Sequence, residues 1–341
     1  MDSLSAAPLA PTKPTLLLSR RDIAALMSPD DYLSAVEAGF RAYATGDVQA
    51  PLPMHVPAAD GIFHAKGARL VLDRPYVAVK LNGNFPGNPL RAGLPTIQGV
   101  VVLCDGADGS VLAVMDSIEI TLRRTAAATA LAARYLANTE AECIAVCGCG
   151  EQGRAQLAAL TRVTRVRRAI AWDLDHAKAR RFARDMSEKS QLEVVATTEL
   201  TAATRASHIV VTATTANVPF LTRDMISAGA FIAAVGADSA EKNELAPEVL
   251  ASAKIVVDLL GQAATMGDLH HAIEAGAVTT SDVHAELADV IVGRKAGRTA
   301  SDEVIVFDST GTAIQDVASA VWILQRAKAQ KTGLSINFGA L

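Results

Sequence analysis

The sequence predicts an α/β fold in which a doubly wound parallel sheet follows an α+β first part. Three observations carry this. Between residues 143 and 307, short and continuously apolar runs alternate with helical segments, as strands covered on both faces do. A glycine-rich turn directly follows the first of these runs, as where a strand feeds a nucleotide-binding helix. Before residue 125 the texture is different, with one helix and then β-like runs separated by turn-rich stretches.

Residues 1 to about 15 are rich in Ala, Pro and Ser and have little to bury, so they read as a flexible arm. Over 28–44, Tyr32, Val36, Phe40 and Tyr43 recur at helical spacing, and Ser28-Pro29 supplies a cap followed by a first-turn proline. Asp30 and Asp31 suit the positive end of that helix. Short β runs follow at 68–72, 76–82, 98–104 and 111–115. The segment 118–136 is dominated by strong helix formers. Strands are expected at 143–147, 168–172, 192–196, 208–212, 231–235, 254–258 and 303–307. A last helix, roughly 311–328, carries Ile314, Val317, Val321 and Leu324 on one stripe and is expected to return to the first domain. The expected division is 16–130 with 311–341 as one domain and 131–310 as the other.

CIAVCGCGEQG places Gly148, Gly150 and Gly153 as G-x-G-x-x-G between a strand and the helix expected at 151–163. The first glycine permits the tight turn, the second a close approach of backbone to pyrophosphate, and the third close packing of helix on strand. The next strand ends at Asp173, about 20 residues after Gly153, the spacing at which an acid meets the adenosine ribose. A carboxylate there repels the 2′-phosphate of NADP, and Leu174 rather than arginine follows it, so NAD is the expected cofactor of this Rossmann unit. Cys143, Cys147 and Cys149 crowd the same turn but read as small buried fillers, so no metal site is expected. The chain has 341 residues, half of them apolar, and a formal charge of −4. Neither nucleic acid nor an anionic membrane is implied by that balance. With no run of about 18 apolar residues and no signal-like start, a cytoplasmic protein with a small-molecule substrate is expected.

Three further places carry chemistry. Lys80 ends a short strand at the edge of a loop rich in Gly, Asn and Pro. Arg123 and Arg124 lie near the start of an Ala-rich helix, where a cation opposes the macrodipole and favours an anionic partner. VGAD, at 235–238, runs off a strand into a polar loop, where open α/β sheets gather their functional groups.

From about 21 to 328 the sequence resembles the ornithine cyclodeaminase and mu-crystallin family, which includes a group of alanine dehydrogenases and several ketimine reductases. The motifs are VKLNGNFPGN (79–88), LPTIQG (94–99), LAVMDSIEITLRRTAAATALAARYL (112–136), GCGEQG (148–153), VGADSAEKNEL (235–245), GDLHHAIEAG (267–276) and FDSTGTAIQD (307–316). The resemblance implies a homodimer whose substrate domain carries the inserted Rossmann domain. It implies that Lys80 and Arg124 hold a substrate α-carboxylate, with Lys80 in the catalytic set beside Asp238, the acid or base at the substrate nitrogen. Thr96 falls on the substrate side of the positions lining the cofactor. The others are Gln152, Asp173, Thr214, Gly236, Lys242 and Ser309, with Glu151 in the glycine turn.

One departure bears on the substrate. The family commonly has a Pro-x-Arg motif after the first helix, and here that stretch reads APLPMHVP, 50–57, without arginine. Either His55 or Lys66 substitutes, or the substrate is held differently, while His55 is equally readable as a half-buried strand residue. The function implied is NAD(H)-dependent redox chemistry at the carbon–nitrogen bond of a small amino or imino acid, as an imino-acid or ketimine reductase or an amino-acid dehydrogenase. The alternatives are an ornithine- or lysine-type cyclodeaminase using catalytic NAD and a non-catalytic binder of NAD and a small ligand.

Overall fold

The structure is a computed structural model and describes residues 13–190 and 192–337. It holds two eight-stranded sheets. One is wholly parallel, in the order Glu193–Ala196, Arg168–Trp172, Cys143–Cys147, Ile209–Thr212, Phe231–Ala234, Ile305–Asp308, Lys254–Val257 and Val283–Glu286. Its central strands are buried along their whole length, which is why they read as continuous apolar runs. The order steps one way from Cys143–Cys147 through Arg168–Trp172 and the other way through Ile209–Thr212. The glycine turn therefore sits at the switch point where doubly wound sheets bind nucleotides.

The other sheet runs Leu334–Ile336, Thr15–Leu18, Val111–Asp116, Ile97–Asp105, Pro75–Asn84, Gly61–Val71 and Val48–Gln49, with Met54–Ala58 also paired to Gly61–Val71. All its pairings are antiparallel except that of Thr15–Leu18 with Val111–Asp116. Most of the expected arm lies outside the described residues, but its end at Thr15 is corrected. Thr15 is buried and its hydroxyl donates to Val111 O at 2.8 Å. Its four-residue strand is too short to show a period, and its partner Leu334–Ile336 lies at the other end of the chain.

Two helices join the sheets. Ser117–Leu136 starts on Asp116, whose side chain accepts from Ile118 N and Glu119 N, and leads to the first parallel strand. Its alanines, from Ala126 to Ala133, are buried in the core shared with Ile120, Leu131 and Leu136. Arg124 therefore lies past the first turn, where the helix dipole has faded, and the dipole argument does not explain it. Ala313–Gln330 leaves strand Ile305–Asp308 and packs against Gly61–Val71, Pro75–Asn84 and the helix Pro29–Ala44. This helix brings the 307–316 segment under the antiparallel sheet. Ser28 caps Pro29–Ala44 in a reciprocal box with Asp31.

Candidate active site

The carboxyl ends of the parallel strands face one side of the antiparallel sheet across a cavity of about 220 Å³. Strand alternation decides which side chains reach it. His64 and Lys66 on one strand, and Lys80, Asn82 and Asn84 on the next, share the cavity face, with Lys66 directly opposite Lys80. Phe63, Val79 and Leu81 point the other way and are exposed.

At the base of the cavity three charged groups are buried together. Asp316, from the first turn of Ala313–Gln330, takes the Lys80 ammonium at 2.8 Å on Oδ2 and Arg124 Nε at 2.9 Å on Oδ1. Arg124 also donates to Gln315 Oε1 at 2.7 Å. All three are at most 5% exposed. Burial, and then the neighbouring Arg124, push Lys80 down to about 7. Burial works to raise Asp316, but Arg124 and Lys80 hold it below the ordinary carboxylate value. Two cations thus share one internal carboxylate, leaving positive charge for an incoming anion. A third buried cation stands beside them: Lys66 donates to the carbonyls of Thr310 at 3.1 Å and Gly311 at 2.8 Å.

Asp238 lines the open side of the cavity. Desolvation works to raise its carboxyl, but Lys242, at 2.6 Å from Oδ1, and then Lys66 outweigh it and keep it low. Behind this loop, Glu244 is fully buried and joins the ends of two parallel strands. It accepts Thr212 Oγ1 at 2.7 Å, Thr214 N at 2.6 Å, Thr214 Oγ1 at 2.7 Å and Gly236 N at 2.8 Å. Thr214 and Gly236 are thereby fixed in the cavity wall.

The residues present fit a dinucleotide. Gly148 has φ +103°, and a Cβ there would meet Ala213 O at 2.4 Å; one on Gly153 would meet Gly148 O at 2.1 Å. At Gly150 the nearest atom to such a Cβ is Lys178 Nζ at 4.0 Å, so this side of the turn is open. Asp173 Oδ2 accepts Cys149 N at 2.8 Å and lies 3.2 Å from Lys178 Nζ. Between turn and cavity, Gln152 Oε1 and Ser309 Oγ are buried without partners inside the protein, as groups reserved for a ligand are.

The structure thus brings Lys80, Arg124, Gln152, Thr214, Gly236, Asp238, Lys242 and Ser309 to one cavity, with the glycine turn and Asp173 leading up to it. Two residues stand apart. Thr96 lies beside the mouth, its carbonyl accepting Phe85 N at 2.8 Å, and Ile97 rather than Thr96 lines the cavity. Glu151 lines a separate groove with Arg154 and Arg167. Sequence reasoning offers Lys66 only as one alternative for the missing arginine and assigns His64, Glu244 and Asp316 no role. Asp316 and Glu244 sit inside recognised motifs, but only the fold shows what they touch.

A glycine turn that fits a dinucleotide, opening onto a cavity walled by buried cations, is the site of an NAD-dependent oxidoreductase of small amino or imino acids. Comparison with known proteins agrees. The chain is 36% identical over 324 residues to an alanine dehydrogenase of Archaeoglobus fulgidus, covering 95% of this chain and 98% of that one. A solved archaeal alanine dehydrogenase dimer with bound NAD superposes with a TM-score of 0.91 at 36% identity, covering 96% and 100%. The Δ1-pyrroline-2-carboxylate reductase of Thermococcus litoralis, solved with NADH and L-proline, superposes with a TM-score of 0.89 at 30% identity, covering 94% and 100%. The chain belongs to the ornithine cyclodeaminase/mu-crystallin family, whose model matches residues 13–331. Its cofactor is NAD.

Proposed function

We propose that the protein interconverts a small α-imino acid and the corresponding α-amino acid, with Lys80 and Arg124 holding the α-carboxylate and Asp238 serving the nitrogen. The observation that supports this best is the buried Lys80–Asp316–Arg124 cluster at the base of the cavity, with Asp238 on its open side. NAD, when bound, exchanges two electrons and one hydrogen with the substrate α-carbon. Anchoring the carboxylate fixes that carbon relative to Gln152, Thr214 and Ser309, so the encounter becomes effectively unimolecular. An ionised Asp238 stabilises a positively charged iminium and accepts a proton from an ammonium in the oxidative direction.

The same charges weigh against a diamino-acid cyclodeaminase. Among the described residues lining the cavity, Asp238 is the one carboxylate, while Lys66 and Lys242 face the same space. A second substrate ammonium therefore meets cations and no free anion.

The test is NADH oxidation with Δ1-pyrroline-2-carboxylate, piperideine-2-carboxylate, iminosuccinate, or pyruvate with ammonia, alongside ammonia release from ornithine and lysine with catalytic NAD. NADH consumption with an imino acid is expected. Ammonia release without net NADH change would overturn the proposal. Asp238→Asn is expected to bind NADH and to lose turnover.

We also propose that two copies pair through the outer face of the antiparallel sheet, where Met54, Val56, Phe63, Val79, Leu81 and Val100 form an exposed apolar surface. Leu81→Lys with Phe63→Glu is expected to give monomers in sedimentation. Dimers persisting in this variant would place the interface elsewhere.

A further inference from the structure

Where the family's arginine motif is missing, this chain carries two histidines. His55 on Met54–Ala58 lies directly opposite His64 on Gly61–Val71. Their Nδ1 atoms are 2.7 Å apart and the rings are edge to face at 4.8 Å. One Nδ1 therefore donates and the other accepts, and two imidazolium rings cannot coexist at that distance. His55 is exposed, whereas His64 is half-buried and lines the cavity with Asp238, Lys66 and Lys242. Both rings lie on the cavity side of the sheet, opposite the apolar face. With Nδ1 engaged, Nε2 is the nitrogen each ring has left for a second partner, His55 at an exposed position and His64 at the cavity wall.

We infer that His55 and His64 form a proton relay between solvent and Asp238, a positioning and transfer role for the nitrogen chemistry that rests on the imino-acid reading above. When an iminium is reduced, NADH supplies two electrons and one hydrogen to carbon, leaving a neutral amine that takes one further proton on nitrogen. Asp238, ionised beside the iminium, takes that proton from His64 Nε2 and hands it to the amine, while His64 takes one on Nδ1 from His55 and His55 takes one on Nε2 from solvent. Each imidazole gains a proton at one nitrogen and loses one at the other, so charge and atoms balance.

The groups facing His64 suit this. Burial lowers its proton affinity, His55 lowers it further, Asp238 raises it, and Lys66 and Lys242 lower it. Glu241, on the loop with Asp238, is held low by its own loop's hydrogen bonds and feels both histidines. An Asp238 kept ionised by Lys242 and Lys66 needs a proton donor in order to be recharged, and a histidine lining the same cavity can serve as one.

The experiment has two arms. The first follows both imidazoles by NMR from pH 5 to 9 in the intact protein and in Asp238→Asn. The pair is expected to take up a single proton in that range, and His64 is expected to titrate at lower pH once the Asp238 charge is gone. Independent one-proton titrations of both rings, with His64 indifferent to Asp238→Asn, overturn the relay whatever the substrate. The second arm measures NADH oxidation with Δ1-pyrroline-2-carboxylate by His64→Gln and His55→Gln, each checked for unchanged NADH binding. Loss of about tenfold or more in kcat at alkaline pH is expected for His64→Gln, smaller for His55→Gln, with partial rescue by added imidazole and little change in KM. Wild-type kcat and pH profile in His64→Gln would overturn the relay while leaving the imino-acid reading standing. Wild-type inertness toward every imino acid would overturn that reading instead, and the titration still decides the relay.

Discussion

Replacing Asp316 by asparagine tests how the carboxylate anchor is organised. The side chain is 2% exposed and is the shared partner of Lys80 at 2.8 Å and Arg124 at 2.9 Å. The Asp316→Asn amide would keep the shape and one acceptor but leave two buried cations facing each other. Removing one partner of a buried pair costs about 3–5 kcal/mol. Lys80 relieves part of this by giving up its proton, so a loss near the lower end, about 3 kcal/mol, is expected. At about 2.1 cal/mol/K per residue, unfolding of this chain of 341 residues carries an entropy of about 0.7 kcal/mol/K, so this is a fall of roughly 4 °C in melting temperature. The pH dependence is more diagnostic. Burial and Arg124 already hold Lys80 at about 7 against an ordinary 10.5, with Asp316 opposing them. The unfolded chain thus binds more protons than the fold between those values, so wild-type stability rises with pH across that window. Without Asp316 the window extends below 7. Because the anchor needs a charged Lys80, KM for the imino acid should climb above about pH 7 in the wild type and from a lower pH in the variant. Differential scanning calorimetry and KM measured from pH 5.5 to 9 check both expectations. A variant with wild-type melting and an unmoved KM profile would show that Asp316 does not set the state of the anchor.

Asp173→Ala should reduce the preference for NAD over NADP by about tenfold or more, equivalent to about 1.4 kcal/mol, because it removes the carboxylate that would repel a 2′-phosphate and frees Lys178, now 3.2 Å away. Comparison of kcat/KM for the two cofactors reads this, and an unchanged ratio would move cofactor choice to another residue. Asp268 is buried and held at about 7 by burial and then Glu244, while its Oδ1 accepts Glu244 N at 2.7 Å and Leu245 N at 2.8 Å. Its folded value lies above the unfolded one, so its contribution is present at acid pH and is lost as pH rises from about 4 through 7. Asp268→Asn keeps the acceptor and should flatten that slope, so in denaturant titrations its stability relative to wild type should rise between pH 4 and pH 8. An identical slope in the two proteins would assign the pH dependence to other groups.

What the sequence determined by itself was local. The glycine turn, the strand before it, the helix after it and Asp173 fall within one strand–helix–strand unit, so fixed spacing carries the dinucleotide signal. The inner parallel strands were readable because both faces are covered and their residues are almost all apolar, whereas the edge strand Val283–Glu286, VHAE and only partly buried, was not among the expected strands. Ser28 with Asp31 is likewise a four-residue event. What only the tertiary structure decided was convergence. Lys80 meets Asp316 from the opposite end of the chain, and Lys66 reaches the carbonyls of Thr310 and Gly311 across a similar distance in sequence. The short end strands Thr15–Leu18 and Leu334–Ile336 have no period of their own and exist by pairing, the first with Val111–Asp116 and the second with the first. His55 and His64 share one face of a hairpin, a relation that depends on strand register, and a shift of one residue would turn either ring away from the cavity. Charges pay for burial only where such distant partners meet, so the anchor could be named from motifs, but its internal counter-ion and its protonation state belong to the fold.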